Sequence, residues 1–207
     1  MKTKKIIIVG SGGHANSCLE ILKQLEDFKI IGSVDNHKKF NSEIKYPLLG
    51  NNDDLIKIKK TADYAIIGIG QIKDFTPRVK IFKLLKKLDF KLPVIISKNA
   101  YVSNNAKISE GSIIMNHCLI NTHVSIGQNC IINNKALIEH NSIIEDNCHI
   151  STGCIINGNV KIGKNTFIGS GSIINNNISV GKNCIISSGS IINKNISNNS
   201  LFVSKKK

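Results

Sequence analysis

"ALIEHNSIIEDNCHISTG", residues 136–153, carries three isoleucines six apart, Ile138, Ile144 and Ile150, and the spacing continues in both directions. Every sixth position from Ile96 to Ile192 is Ile or Val, without exception. An amphipathic helix repeats at 3.6 and a strand at 2, so neither accounts for a strict six, whereas a β-helix with three short flat sides per coil does. Each side then takes six residues and each coil three sides, so residues 96–192 make about five and a half coils with strands stacked in parallel at roughly 4.8 Å.

The remaining positions sort by phase. Two residues before each stacked aliphatic, mostly small side chains (Ala, Ser, Cys, Val) point the same way and fill the narrow interior. That phase holds Cys118, Cys130, Cys148, Cys154 and Cys184, which read as small hydrophobes and not as metal or disulfide cysteines. Three residues after each aliphatic stands Asn or Gly at nearly every side, as at Asn99, Asn105, Gly111, Asn129, Asn147, Gly153, Asn159 and Gly171. These are corners in a left-handed backbone conformation, and His117 and His123 share the phase. The position just before each aliphatic faces outward and separates into three stripes: Ile113, Ile131, His149, Phe167, Ile185; Leu119, Leu137, Ile155, Ile173, Ile191; and Lys107, Ser125, Ile143, Lys161, Ser179. Two apolar outer stripes should be buried against copies of the chain, most simply in a closed three-fold ring, so a homotrimer is expected.

Two histidines in the opening stretch are not explained by packing. His140 occupies an outward, otherwise polar corner phase, and His149 interrupts an apolar stripe, where it needs a partner. They lie half a coil apart, so they cannot meet within one chain but could face each other across a subunit boundary. Gly158 holds the place of His140 in the following coil and stacks directly on it with an unobstructed N–H. A base beside a backbone donor is what acyl transfer needs: the base takes the acceptor's proton while the donor stabilises the oxyanion. A solvated corner histidine and a turn glycine remain the plainer alternative.

The first half, residues 1–93, opens "KKIIIVGSGGHANSCLEILKQL": a buried strand, a glycine-rich turn, and a helix carrying Cys18, Leu19, Ile21, Leu22 and Leu25 inward. Gly10, Gly12 and Ala15 fit G-x-G-x-x-G/A, and Asp35 ends the next strand where an acidic residue often holds a ribose hydroxyl. Only one further strand, "YAIIGIG", and helix, "PRVKIFKLLKKL", follow, which is one mononucleotide half, so a single nucleotide or nucleotide-sugar is favoured over a dinucleotide. Gly10, Gly12, Gly13, His14 and Asp35 are its candidate ligands, with loop capping the alternative for His14. "KLPVII" around Pro93 joins this α/β half domain to the β-helix of residues 94–207.

The balance of 28 Lys and Arg against 14 Asp and Glu, a formal +14, favours anionic partners, but the lysines are scattered and aromatics scarce, so no nucleic-acid platform is visible. The run "IIIV" at 6–9 is too short for a membrane span or signal core, which places the chain in the cytoplasm.

The succession "VGSGGHA", "GSVD", "IIGIG", "LPVIIS" and hexapeptide coils resembles the bacterial sugar acetyltransferases that include the bacillosamine-pathway N-acetyltransferase and the sialic acid O-acetyltransferase relatives. The resemblance implies a Rossmann-like half domain for the nucleotide-sugar and a left-handed parallel β-helix that trimerises, with acetyl-CoA in the groove between subunits. It implies His140 as base with Asn141 beside it, Gly158 as backbone donor, and acetyl-CoA contacts at His149, Gly158 and Gly169. The expected reaction is direct acetyl transfer to an amine of a UDP-type amino-deoxy sugar in bacterial surface-glycan biosynthesis; sugar or sialic acid O-acetylation is the nearest alternative. The family usually has Asp or Glu after the base, and Asn141 cannot stabilise an imidazolium by charge. "NNSLFVSKKK" stands where the family has a Gly-x-Pro-Ala segment. Two other classes stay open: a non-catalytic scaffold or sugar-binding protein, and a zinc enzyme, which the turn-phase His117 and His123 disfavour, so no metal is expected.

Overall fold

The computed structural model describes residues 3–36 and 45–203. The chain divides into two compact units, one formed by residues up to 70 together with 76–95, the other by 71–75 together with residues from 96 onward. The break thus falls at Ile95 and Ile96, just past the expected join at Pro93, and the segment 71–75 of the first half belongs to the second unit.

In the first unit, β1 (Lys4–Val9) is flanked by β2 (Phe28–Val34) and β3 (Tyr64–Ile67) in a parallel sheet of order β2-β1-β3. Helix α1 (Gly13–Leu22) follows β1, the short α2 (Leu55–Ile58) precedes β3, and α3 (Thr76–Lys87) follows it. Ile6, Ile7 and Ile8 are fully buried, so β1 reads as an uninterrupted apolar run because both its faces are covered. Ala15, Cys18, Leu19, Ile21 and Leu22 form the buried stripe of α1, which ends at Leu22; Leu25 lies beyond it, half-buried. Gly68 and Ala15 are small for one reason: a Cβ on Gly68 would stand 2.6 Å from the Ala15 Cβ, so helix and strand end meet without side chains between them. With β1 central and its successors on opposite sides, the carboxyl ends of β1 and β3 open at a topological switch point.

The second unit is a parallel β-helix of two-residue strands in three sheets of 7, 6 and 5 strands. Its register is one full coil of three six-residue sides, as in Ile131↔His149↔Phe167 and Leu137↔Ile155↔Ile173. The period-six aliphatics from Ile114 to Ile192 form one buried core with Cys118, Cys130, Cys148, Cys154 and Cys184. After Ile192 the last turn shortens, Ile185 pairing with Leu201. Corner residues adopt φ near +60° at His117, His123, Lys135, Asn141 and the other corner asparagines from Asn129 to Asn183, together with Gly111, Gly153 and Gly171. Asn99 and Asn105 depart from the expectation: they are absent from the left-handed set, and those corners close with Ala100 N–H on Ser97 O at 3.0 Å and Ala106 N–H on Ser103 O at 2.9 Å. On one edge the corner amides form a ladder, Asn129 donating to Asn147 at 2.9 Å, Asn147 to Asn165 at 3.1 Å, Asn165 to Asn183 at 2.9 Å and Asn183 to Asn199 at 2.9 Å. Asparagine there supplies both the backbone conformation and a hydrogen bond to the next coil.

The outer stripes also differ from expectation. Ile113, Ile131, His149 and Phe167 are already buried within the single chain, and residues 71–75 lie in the unit that contains them. The stripe of Leu119, Leu137, Ile155, Ile173 and Ile191 is covered less, Leu119 being 38% and Ile191 63% exposed and the three between them half-buried. Of the two apolar stripes, this one is the more accessible to copies of the chain. Among the described residues no helix is long and apolar enough to cross a membrane.

All six cysteines are free and buried. Burial pushes the Cys18 thiol up to about 12 against a partial lowering by Arg78, and burial likewise raises Cys118 and Cys154 to about 11. At pH 8 the folded chain should react with a disulfide reagent on the order of a hundredfold slower than unfolded chain, in which six thiols titrate; fast titration of the native protein would contradict this packing. Ile156→Ala, at a fully buried rung, should cost about 2–5 kcal/mol in chemical denaturation.

Candidate functional site

The first unit carries a cavity of about 470 Å³ at the carboxyl ends of β1 and β3, lined by Gly10, Ser11, Gly12, Gly13, His14 and Asp35 among others. Gly10 has φ +101°, and a Cβ there would sit 2.8 Å from the Ile69 side chain, so the tight turn requires glycine. Cβ atoms on Gly12 and Gly13 would meet nothing within 4 Å; these residues leave space open at the amino end of α1 instead of filling it. Helix α1 has no acidic residue in its first turn and no side-chain cap, so its N–H groups and positive dipole end suit an anion.

Asp35 is held by Ser11, whose N–H and Oγ–H both donate to Oδ2, at 2.8 and 2.6 Å. That pair of hydrogen bonds fixes the carboxylate at the rim of the cavity, and no sequence pattern singles out Ser11. His14 stands one helical turn before Cys18, its Nε2 3.5 Å from the sulfur. Asn36, Asn52 and Lys80 also line the cavity, with Asn36 Oδ1 accepting from the Asn52 N–H at 3.0 Å. No local pattern marks them either, because they come from separate segments of the chain. The buried guanidinium of Arg78 donates to the Ile67 and Ile69 carbonyls at 2.8 and 2.9 Å, fixing the turn that carries Gly68, Ile69 and Gly70.

On the β-helix, His140 and Gly158 are brought together. The His140 imidazole lies on the Gly158 α-carbon, so that a Cβ at 158 would stand 2.7 Å from both Cε1 and Nε2. Gly158 has no left-handed φ, so glycine is required there by the ring and not by the backbone. Several N–H groups in the same phase are taken by side-chain oxygens, as at Asn116, Gln128, Asn134 and Lys164. The Gly158 N–H makes no hydrogen bond among the described residues. Asn141, at a left-handed corner, has Nδ2 3.1 Å from His140 Nδ1. The same amide with its oxygen and nitrogen exchanged would offer Oδ1 to an Nδ1–H instead. Glu139 Oε2 accepts from Asn121 Nδ2 at 2.7 Å, next to His140.

His149 is 5% exposed and partnered on both ring nitrogens, by the Gln71 carbonyl at Nδ1 and by Asn133 Nδ2 3.3 Å from Nε2. The Phe167 ring meets it edge-on at 5.2 Å. The Gly169 N–H donates to Ile186 O, its carbonyl accepts from Ser172 N–H and Cys154 Sγ, and a Cβ would strike Ser188 N at 2.5 Å. Its backbone polar groups are engaged within the β-helix, and the close approach of the next coil requires glycine there. Among the described residues no group of three or more His, Cys, Asp or Glu side chains is disposed to hold a metal ion.

A mononucleotide half domain followed by a left-handed β-helix, with a histidine and a free N–H on adjacent coils, defines a hexapeptide-repeat protein. Residues 5–85 match the family model described as the PglD N-terminal domain, and residues 90–205 the one described as the GMPPB C-terminal domain. The acetyltransferase domain of PglB from Neisseria gonorrhoeae, solved with acetyl coenzyme A, superposes with a TM-score of 0.89 at 25% identity over 96% of this chain and 95% of that one. A perosamine N-acetyltransferase from Caulobacter crescentus, solved with CoA and GDP-perosamine, has the same fold at 23% identity, with a TM-score of 0.89 over 95% of this chain and 92% of that one. A glycerol-3-phosphate dehydrogenase from Mycoplasma mobile is 34% identical over 127 residues, 53% of this chain. The chain spans only 36% of the length of that curated relative. The chain belongs to the bacterial sugar acetyltransferases of the hexapeptide-repeat family.

Gly158→Ala should leave the chain folded, with a melting temperature close to the parent's, but move the His140 ring. Histidine ring NMR resonances that stay in place would contradict the stacking described.

Proposed function

We propose that this chain is an acetyl-CoA-dependent N-acetyltransferase acting on the amine of a nucleotide-linked amino-deoxy sugar, of UDP type, in bacterial surface-glycan biosynthesis. The observation that carries the reading is the His140 imidazole lying on Gly158, whose N–H is uncommitted among the described residues. The first unit, with Gly10, Gly12, Gly13, His14 and Asp35, holds the nucleotide-sugar: phosphate oxygens at the amino end of α1, a ribose hydroxyl at Asp35. The β-helix carries the chemistry, with acetyl-CoA lying beside His149 and Gly158.

The acceptor amine attacks the thioester carbonyl while His140 Nε2 takes its proton, a task for which imidazole suits neutral pH. The oxyanion of the tetrahedral intermediate is held by the Gly158 N–H, and it collapses with CoA leaving as the thiol or thiolate. No covalent enzyme intermediate is involved. The working tautomer needs a lone pair at Nε2, hence a proton at Nδ1, which the Asn141 carbonyl accepts once its amide is turned. Asn141 thereby orients the ring without supplying charge. The partly exposed apolar stripe of Leu119, Leu137, Ile155, Ile173 and Ile191 supports a homotrimer with active sites between subunits. We place the reaction in the cytoplasm, with no nucleic-acid partner and no membrane insertion.

A thiol-release assay with acetyl-CoA and a panel of nucleotide-linked amino sugars should give acceptor-dependent CoA. His140→Ala should reduce the rate by about 10²–10⁴-fold. Thiol release without any dependence on acceptor, or an undiminished variant, would overturn the mechanism.

A further inference from the structure

We propose that Gln71 is a positioning residue for His149, an inference that rests on the placing of His149 beside acetyl-CoA. Gln71 is 3% exposed and holds the coil at two points. Its carbonyl accepts the His149 Nδ1 proton, and its Nε2–H donates to the Asn147 carbonyl at 2.8 Å, just ahead of the histidine in sequence. On the far side of the ring, Asn133 has its Oδ1 engaged by the Asn134 N–H at 2.8 Å, so its amide nitrogen is the atom turned to His149 Nε2, 3.3 Å away. A donor on Nε2 and an acceptor on Nδ1 admit one neutral form, with the proton on Nδ1 and a lone pair on Nε2. The edge-on Phe167 ring fills the adjoining side.

This arrangement decides what His149 contributes. A ring protonated at Nε2 would offer a hydrogen bond to a thioester oxygen; the ring fixed by Gln71 offers none. His149 therefore acts as a rigid wall that holds the Asn133 amide, and the oxyanion is left to the Gly158 N–H. Packing alone does not account for glutamine at position 71. Its Oε1 is buried with no hydrogen-bond partner among the described residues, beside a cavity of about 80 Å³ also lined by Phe75, Asn165 and Asn183. A buried acceptor without a partner is destabilising, so methionine, of similar length and without strongly polar atoms, would suit the space at least as well. What methionine lacks is the donor that clamps the segment to Asn147.

The test uses the full chain labelled with ¹⁵N-histidine, His149 being assigned by loss of its signals in His149→Phe. Ring-nitrogen shifts should report the Nδ1–H form in the parent. In Gln71→Met they should move to a mixture of tautomers, with melting temperature kept or raised. The KM for acetyl-CoA should rise about tenfold while that for the sugar changes less than about twofold. A parent ring protonated at Nε2, or a Gln71→Met chain with unchanged tautomer or unchanged KM for acetyl-CoA, would overturn the proposal. Absence of any transferase activity would remove the proposed function itself and Gln71's part in it, while the ring shifts still decide whether Gln71 fixes the tautomer.

Discussion

The β-helix is built on a dry axial stack, one aliphatic side chain pointing inward from each six-residue side. Ile138, Ile144 and Ile150 close one coil, with the buried Ser142 beside them hydrogen-bonded to backbone, and Ile156, Ile162 and Ile168 repeat them in the next. Once the inward positions are fixed, little freedom remains. The residue beside each rung must be small, the corners must turn sharply, and every side chain acquires a neighbour one coil away at strand spacing. The Asn ladder and the pairing of His140 with Gly158 follow from that one rule. A regular solenoid is in this sense a ruler, and it places chemical groups with the precision of its core.

Two of the positions this ruler places bear on the proposed chemistry. Gly158 is a residue without a side chain where the coil below carries an imidazole, and the ring occupies the space that a Cβ would need. His149 breaks an apolar stripe and is reconciled with it by Gln71 and Asn133, one partner for each nitrogen. In the first unit the division of labour is similar. Arg78 commits its guanidinium to two carbonyls to shape a turn, and Ser11 commits both donors to Asp35.

Much of this is legible in the sequence because the repeat is translational. Stepping one coil on from His140 yields Gly158, and sorting the outward phase coil by coil yields the stripes, with no three-dimensional knowledge beyond the period. Reading fails where the neighbour comes from outside the repeat. No period can announce that residues 71–75 join the β-helix unit or that Gln71 receives the Nδ1 proton of His149, so by sequence alone the stripe of Ile113, Ile131 and Phe167 awaits a second chain. Asn36, Asn52 and Lys80 escape for the same reason, since separate segments meet at one cavity. Asn99 and Asn105 obey the residue pattern but not the conformation: asparagine permits a left-handed corner without compelling one. At Gly169 the close approach of the next coil requires glycine by itself.

The proposed chemistry stands on a single imidazole, His140, facing the acceptor amine while the adjacent coil faces the carbonyl. A crystal structure of the chain with CoA and an accepted nucleotide-linked amino sugar would decide between this and any other division of roles. The sugar nitrogen should lie within hydrogen-bond reach of a His140 Nε2, with the CoA sulfur close to the Gly158 N–H of the same site. A sugar nitrogen lying near no His140 in the assembly would rule that chemistry out.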